Sequence, residues 1–285
     1  MKIEELIKLN DTLIKEVMML EKLIQDFDNT ARDIYLDNQF TFDQEMPINF
    51  LAREGNTLVG FLGIYADSKE DEELSVIVHP DYRRQGIATA LIERARVVQK
   101  QYGIDELTFV TEKRFTEAHP FLEEKYDLNE VESELIMQTK LFSKNNHISF
   151  DIQAREATME DVPRIAAFQA KSFGEPLEVA LNYARSSLEQ DDHTIYVFIK
   201  EGEIVGSSAV NITTAYYYLF SLAVDPDYQG QGVGTAGIYH TMKALDGLGS
   251  RPYRLAVESD NAAALHLYEK NGFEVLTEVL YLGGK

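Results

Sequence analysis

The sequence predicts an α/β (α+β) protein made of two tandem copies of one domain, each a sheet flanked by helices. Three observations predict it. The first is the stretch from Leu222 to Thr235, where an apolar run, Asp225-Pro226-Asp227 and three spaced glycines precede the start of a helix. The second is that this arrangement occurs twice. Pro80 and Pro226, Gly86 and Gly232, and Gly60 and Gly206 are each 146 residues apart, and a repeat of that length means two domains rather than a solenoid. The third is the length, 285 residues, at which single hydrophobic cores usually split.

The elements follow from local patterns. Ile3 to Leu9 reads as a short strand and turn. Asp11 to Asp26 reads as a helix with Leu13, Val17, Leu20 and Leu23 at helical spacing. Ile48 to Ala52 and Leu58 to Ile64 form a hairpin around Glu54-Gly55-Asn56. Acidic Ser68 to Glu72 reads as a loop, and Leu74 to Val78 as the strand entering the first glycine turn. The next helix carries Leu91, Ala95 and Val98 on one face. Strands follow at Leu107 to Val110 and from Val131 to Leu141. The polar run Ser143 to His147 is the expected linker, giving domains 1–142 and 148–285.

The second copy starts with a strand from Ile148 to Arg155, and Thr158 caps a helix containing Val162, Ile165, Ala166 and Phe168. Lys171 to Asp192 is acidic and partly helical. Ile195 to Ile199 and Ile204 to Ile212 repeat the hairpin. Tyr216 to Phe220 leads into the second glycine turn. After it come strand Arg254 to Val257 and helix Asn261 to Lys270, closed by Asn271-Gly272.

A strand, a glycine-rich turn and a helix N-terminus leave backbone N–H groups uncovered, a ready site for a phosphate or pyrophosphate. The spacing in Gln229-Gly230-Gln231-Gly232-Val233-Gly234 lacks the Lys-Ser/Thr of a P-loop and the G-x-G-x-x-G of a dinucleotide fold. It resembles motif A of the GNAT acyl-CoA N-acyltransferases, Q/R-x-x-G-x-G/A. Arg83-Arg84-Gln85-Gly86-Ile87-Ala88 is the first copy in its R-x-x-G-x-A form. Asn261-x-x-Ala264-x-x-Leu267-Tyr268-x-x-x-Gly272-Phe273 resembles motif B of the same family, so the likeness covers most of residues 150–285. The tandem layout is similar to that of mycothiol synthase.

The resemblance implies mixed, mostly antiparallel sheets and transfer of an acetyl group from acetyl-CoA, as co-substrate, to the primary amine of a small molecule or peptide. Cofactor contacts fall on Leu222, Ala223, Val224, Gln229, Gly230, Gln231, Gly232, Val233, Gly234, Thr235 and Asn261, and in the first copy on Val78, Arg83, Arg84, Gly86 and Ala88. Backbone N–H groups of residues 222–224 are the implied oxyanion donors. Tyr268 is the implied general acid for the departing thiolate, its other reading being a core tyrosine. Asn261 is either a cofactor contact or a helix cap. Many relatives carry a glutamate where this chain has Ala256. Glu258, two residues on, shares that strand face and is either the general base or a solvated loop acid. Arg83 and Arg84 either face a pyrophosphate or lie on a solvated turn. Without gaps, Phe115 and Leu122 replace Asn261 and Tyr268, and Tyr126-Asp127 replaces Gly272-Phe273. The first copy is therefore expected to hold CoA weakly or not at all and not to catalyse. The rival class is a non-catalytic tandem acyl-CoA-binding or sensing module.

Composition narrows the partners. A net charge of −21 argues against nucleic acid and either serves solubility alone or favours a cationic partner; a small amine, an aminoglycoside or polyamine, and a peptide N-terminus all stay open as the acceptor. With no cysteine, disulfides and thiolate chemistry are excluded, and no metal site is expected. No apolar run is long enough to span a bilayer, and the acidic start Met1-Lys2-Ile3-Glu4-Glu5 lacks a signal peptide's apolar core, so a cytoplasmic protein without membrane partners is expected.

Overall fold

The structure, a computed structural model, describes residues 1–38, 41–69, 71–104, 106–140, 151–212 and 215–284. The chain forms two compact units, one of Met1–Glu134 with Thr277–Lys285 and one of Leu135–Leu276. The expected linker, 143–147, lies outside the described residues.

The N-terminal half runs β1 (Lys2–Leu6), α1 (Asp11–Asp28), β2 (Asn49–Glu54), β3 (Thr57–Tyr65), β4 (Asp71–Val78), α2 (Ile87–Tyr102), β5 (Glu106–Glu112), α3 (Lys113–Ala118), α4 (Phe121–Tyr126) and β6 (Leu128–Thr139). The C-terminal half runs β7 (Ile152–Glu156), α5 (Val162–Phe173), α6 (Leu177–Glu189), β8 (His193–Lys200), β9 (Glu203–Asn211), β10 (Tyr217–Val224), α7 (Val233–Asp246), β11 (Tyr253–Glu258), α8 (Ala262–Lys270) and β12 (Glu274–Gly284). Strand order is β1-β2-β3-β4-β5-β12 in the first unit and β6-β11-β10-β9-β8-β7 in the second. The β4–β5 and β10–β11 pairs are parallel. The pairings β1–β2, β2–β3, β3–β4, β5–β12, β7–β8, β8–β9 and β9–β10 are antiparallel, giving the mixed, mostly antiparallel sheets expected.

The strands at the ends of the two halves do not stay with their own half. Thr277 onward, the greater part of β12, belongs to the first unit, where Val279 to Gly283 pair with Glu112 to Thr108. Leu280 and Leu282 bury in that unit's core beside Phe109 and Leu107. Likewise β6 ends in the second unit, where Met137 is fully buried. Apolar alternation in these strands demands a core but cannot say which one.

Most local expectations match the elements. Asn10 caps α1, its side chain accepting the Thr12 and Leu13 N–H groups at 3.0 Å. Thr158 and Asp161 form a reciprocal capping box ahead of α5. Two details differ. On α1 the buried stripe is Val17, Leu20 and Ile24, while Leu23 is exposed; the 17–20–24 spacing is the true inner face. The acidic run before β4 is not all loop, since Glu72 lies fully buried in the strand. No helix among the described residues is long and apolar enough to cross a membrane.

Candidate active site

The two glycine turns share one geometry. Each strand ends at a 3-10 turn, Pro80–Tyr82 or Pro226–Tyr228. His79 Nδ1 accepts the Asp81 N–H, and the Asp225 carboxylate accepts that of Asp227, both at 3.2 Å. A left-handed residue follows, Arg84 (φ +63°) or Gly230 (φ +72°), then left-handed Gly86 (φ +85°) or Gly232 (φ +81°). Gly86 and Gly232 are the N-caps of α2 and α7, and neither helix start has a side-chain cap. The first-turn N–H groups have no intrahelical partner, so both turns present the donors that an anionic phosphate needs. Gly234 has a different reason to be small. A Cβ there would lie 3.1 Å from Leu267 Cδ2 on α8.

The glutamines of the turn brace it. Gln229 Nε2 donates to the Val224 carbonyl at 3.1 Å, and Gln231 Nε2 to that of Asp227 at 3.1 Å. In the first unit Arg83 Nε donates to the Val78 carbonyl at 3.0 Å, matching Gln229. The guanidinium of Arg83 is otherwise taken up by Asp28, at 2.8 and 2.5 Å, so its charge is already paired. Arg84 is exposed, stacked 4.4 Å from the centroid of Phe121.

Beyond the turns the parallel strands part. β10 pairs with β11 only at Tyr217–Tyr253 and Tyr218–Arg254, although both strands run on. Against β9, the register of β10 slips between Phe220 and Ala223, around left-handed Ser221 (φ +47°). This bulge re-aims the strand at the point where the gap opens. Asp225 donates its N–H to Val205 on β9 at 2.9 Å. N–H direction alternates along a strand, so the Val224 N–H faces the opposite edge, toward the gap, and that of Ala223 faces β9. Ala223 is buried against α5, and Val233 is core, while Leu222 and Val224 pack at the rim of the opposite core.

The other candidates come from β11 and α8. Residues 253 to 258 alternate between buried and less buried, with Arg254, Ala256 and exposed Glu258 on one face. Asn261 does serve as a cap, its Oδ1 accepting the Ala264 N–H at 3.1 Å. Tyr268 is buried in the core, edge-on to Phe273 with centroids 6.0 Å apart. Burial pushes its phenol up to about 12, and its hydroxyl makes no hydrogen bond among the described residues. The oxygen is not among the fully buried polar atoms that lack a partner, so a ring held in the core keeps a hydroxyl that can donate to an incoming acceptor.

Register reveals a group that sequence reasoning missed. His193 pairs with Asn211, Asn211 with Tyr218, and Tyr218 with Arg254. Directly paired residues share a sheet face, so an imidazole, an amide, a phenol and a guanidinium form one row across four strands, at the closed end of the gap. His193 meets Phe220 edge-on at 5.3 Å and lies 3.2 Å from Asp192. Burial lowers its pKa against the opposing pull of Asp192. Arg254 donates to Gln138 Oε1 at 2.8 Å and stacks 4.2 Å over Tyr216. Strand pairing is the signal that assembles this row, and no spacing within the sequence carries it.

The N-terminal unit differs. β4 and β5 pair over four positions and then part, but β4 keeps an unbroken register with β3. Instead of one nine-residue helix, two six-residue helices flank His119 and Pro120. Left-handed Asp127 (φ +52°) takes the place of left-handed Gly272 (φ +84°), so the halves are here 145 apart and Leu128, not Asp127, corresponds to Phe273. The ungapped alignment is off by one at this point, and under either alignment no tyrosine matches Tyr268. Tyr126 instead shares its hydroxyl with Thr89 at 3.1 Å and Lys125 at 3.0 Å. A cavity of about 730 Å³ runs from this turn through the parted strands. Glu21 lines it, and burial pushes its carboxyl up to about 7.

Comparison with known proteins agrees with these features. The acetyltransferase (GNAT) family model matches residues 16–126 and again 159–273. A mycothiol acetyltransferase of Propionibacterium freudenreichii is 26% identical over 263 residues, spanning 83% of this chain and 78% of that protein. The [ribosomal protein bS18]-alanine N-acetyltransferase of Escherichia coli is 37% identical over 78 residues, 27% of this chain, a match that spans only about half (53%) of that relative. Among solved structures, a tandem GNAT protein from the clavulanic acid biosynthesis pathway superposes with a TM-score of 0.77 at 16% identity, covering 99% of this chain and 98% of that one. A GCN5-related N-acetyltransferase from Sphaerobacter thermophilus gives 0.76 at 18% identity, covering 94% and 91%. With two family matches, two glycine turns and two sheets that part beside them, the chain belongs to the GNAT acetyltransferase family as a tandem member.

Proposed function

We propose that this protein transfers an acetyl group from acetyl-CoA to a primary amine of a small molecule or peptide, with the reaction in the C-terminal unit. The observation that carries the reading is the convergence of three features there: the strand gap opened at Ser221, the uncapped N-terminus of α7, and the unpartnered hydroxyl of Tyr268. Bound acetyl-CoA supplies an activated carbonyl carbon. The turn from Gly230 to Thr235 holds the pyrophosphate on backbone N–H groups. The Val224 N–H meets the carbonyl oxygen as negative charge develops, a donor fixed before the reaction begins.

The amine nitrogen bonds to the carbonyl carbon as the carbon–sulfur bond breaks. Glu258, directly or through a water, takes the proton that the amine loses. Tyr268 donates a hydrogen bond to the departing sulfur, which leaves as a thiolate and takes its proton from solvent. With Tyr268 at about 12 and a thiol near ~8.5, complete transfer is uphill. The phenol therefore acts chiefly as a donor that stabilises developing thiolate charge. The row His193–Asn211–Tyr218–Arg254 offers hydrogen-bonding groups to the acceptor.

Incubation of the full chain with acetyl-CoA and a panel of amines, polyamines, aminoglycosides and peptides, following free CoA thiol, tests the reading. Amine-dependent release is expected, reduced ~10²–10⁴-fold by Glu258→Gln, the usual weight of general acid–base catalysis. No release above the amine-free rate with any acceptor class would favour the non-catalytic acyl-CoA-binding alternative. An unchanged pH–rate profile in Glu258→Gln would move the base to the His193 row.

A further inference from the structure

The gap of the C-terminal unit carries its charges in a fixed order along β11. Arg254, Ala256 and Glu258 share one strand face. Arg254 ends the row that starts at His193, at the closed end of the gap. Glu258 stands four residues farther on, about 13 Å away at the rise of an extended strand. An acid therefore marks one end of the gap and a guanidinium the other. Asp192 lies at the opposite end of the row, 3.2 Å from His193 and three strands away from Arg254. The guanidinium is held in place: its Nε donates to Gln138 Oε1 at 2.8 Å, and its Cζ lies 4.2 Å from the centroid of the Tyr216 ring. A neutral amide and a ring orient it and add no negative charge. Rings continue along that face of β10, where Tyr216, Tyr218 and Phe220 are half-buried and successive centroids are 6.3 Å apart.

The fold does not demand this pattern. In the N-terminal unit Glu73 pairs with Tyr65 and Thr108, as Tyr218 pairs with Asn211 and Arg254. An acid and a hydroxyl residue stand there in place of a phenol and a guanidinium. Glu112, which corresponds to Glu258, is buried, and one of its oxygens accepts the N–H groups of Ala31 and Arg32, both at 2.8 Å. Arginine at 254 facing the same way as an exposed acid at 258 is a feature of the C-terminal unit alone.

We propose that the acceptor is a short zwitterionic peptide of about four residues, its amine at Glu258 and a carboxylate on Arg254. This rests on the acetyl transfer proposed above, with Glu258 as the base. Guanidinium and carboxylate match as a planar, two-point pair. Four extended residues span about 13 Å, the separation of the two charges. The aromatic face beside Arg254 suits a chain that is apolar between its ends. The net charge of −21 describes the whole surface, and Arg254 reverses its sign at the closed end. A polyamine would set a second cation against Arg254 and should be a poor acceptor.

The full chain is tested with tetra-alanine, tetra-alanine amide, Ala-Ala-Ala-Glu amide, dialanine, dialanine amide and spermine, following free CoA thiol. Calorimetry with N-acetylated tetra-alanine and its amide on the CoA-saturated protein reads recognition without turnover. Tetra-alanine should exceed its amide about tenfold or more in both kcat/KM and affinity, the usual weight of a charge-assisted hydrogen bond. Arg254→Gln should abolish that ratio and Arg254→Lys keep part of it, whereas a merely structural role would lower both peptides together. Dialanine, too short to span the two side chains, should show little of it. Ala-Ala-Ala-Glu amide matching tetra-alanine would support the proposal with the carboxylate on a side chain. Equal use or binding of tetra-alanine and its amide, a ratio as large for dialanine, a preference for spermine, or a ratio unaltered in Arg254→Gln would each overturn the proposal and leave acetyl transfer itself in place. No acetylation of any amine, with the acid still bound over the amide through Arg254, would instead overturn the transfer reading and leave the recognition standing. The wild-type comparison needs no variant, so it decides even if neither Arg254 variant folds.

Discussion

At the scale of single residues, Tyr268 carries the sharpest expectation. Its ring is held by packing against Phe273, so Tyr268→Phe removes a donor and leaves the shape intact. Stability and acetyl-CoA affinity should barely move, while single-turnover acyl transfer falls by up to ~10²–10⁴-fold. The loss should shrink with an acyl donor whose thiol is more acidic, because that leaving group needs the hydrogen bond least. Wild-type single-turnover rates would leave Tyr268 as a core aromatic. The residue was legible because motif B is a local helical spacing. The His193 row was not, because its four members lie on four strands and meet only through register. Arg83 shows the converse: the motif placed a charge at the turn, but only the structure shows Asp28, 55 residues away in the sequence, already paired with it.

At the scale of elements, turns and caps were legible, since Gly232, Thr158 and Asn271-Gly272 each answer a local backbone demand. The bulge at Ser221 was not, because serine carries no signal for a left-handed φ. Helix α1 holds a separate prediction. Glu21 is buried on it and accepts the Ile34 N–H at 2.5 Å, yet burial dominates and raises its carboxyl from 4.5 to about 7. Between those values the folded state keeps a proton that the unfolded state has released. Stability should therefore fall as pH rises from about 4.5 to about 7, by up to about 3 kcal/mol. Glu21→Gln keeps an oxygen for Ile34 and removes the titration. Denaturant unfolding across that range should show a flatter profile for the variant and a more stable protein at pH 7.5. Parallel profiles would mean that Glu21 is ionised in the fold.

At the scale of the molecule, the repeat of 146 residues was legible because both copies kept the strand, turn and helix in step. The assignment of the last strand was not. Leu280 and Leu282 alternate as any half-buried strand does, and the core they fill belongs to the other half of the sequence. The same scale holds the central claim, that two similar turns have unequal roles and only the C-terminal one serves turnover. The most direct measurement is amine-dependent CoA release by full-length Gly232→Asp and Gly86→Asp proteins. Each substitution places a side chain at a left-handed position, so each sets backbone strain and a negative charge against phosphate binding in one unit alone. The account predicts that Gly232→Asp loses turnover while Gly86→Asp remains far closer to wild type. Loss of turnover in Gly86→Asp with retention in Gly232→Asp would contradict it and move the active site to the N-terminal unit.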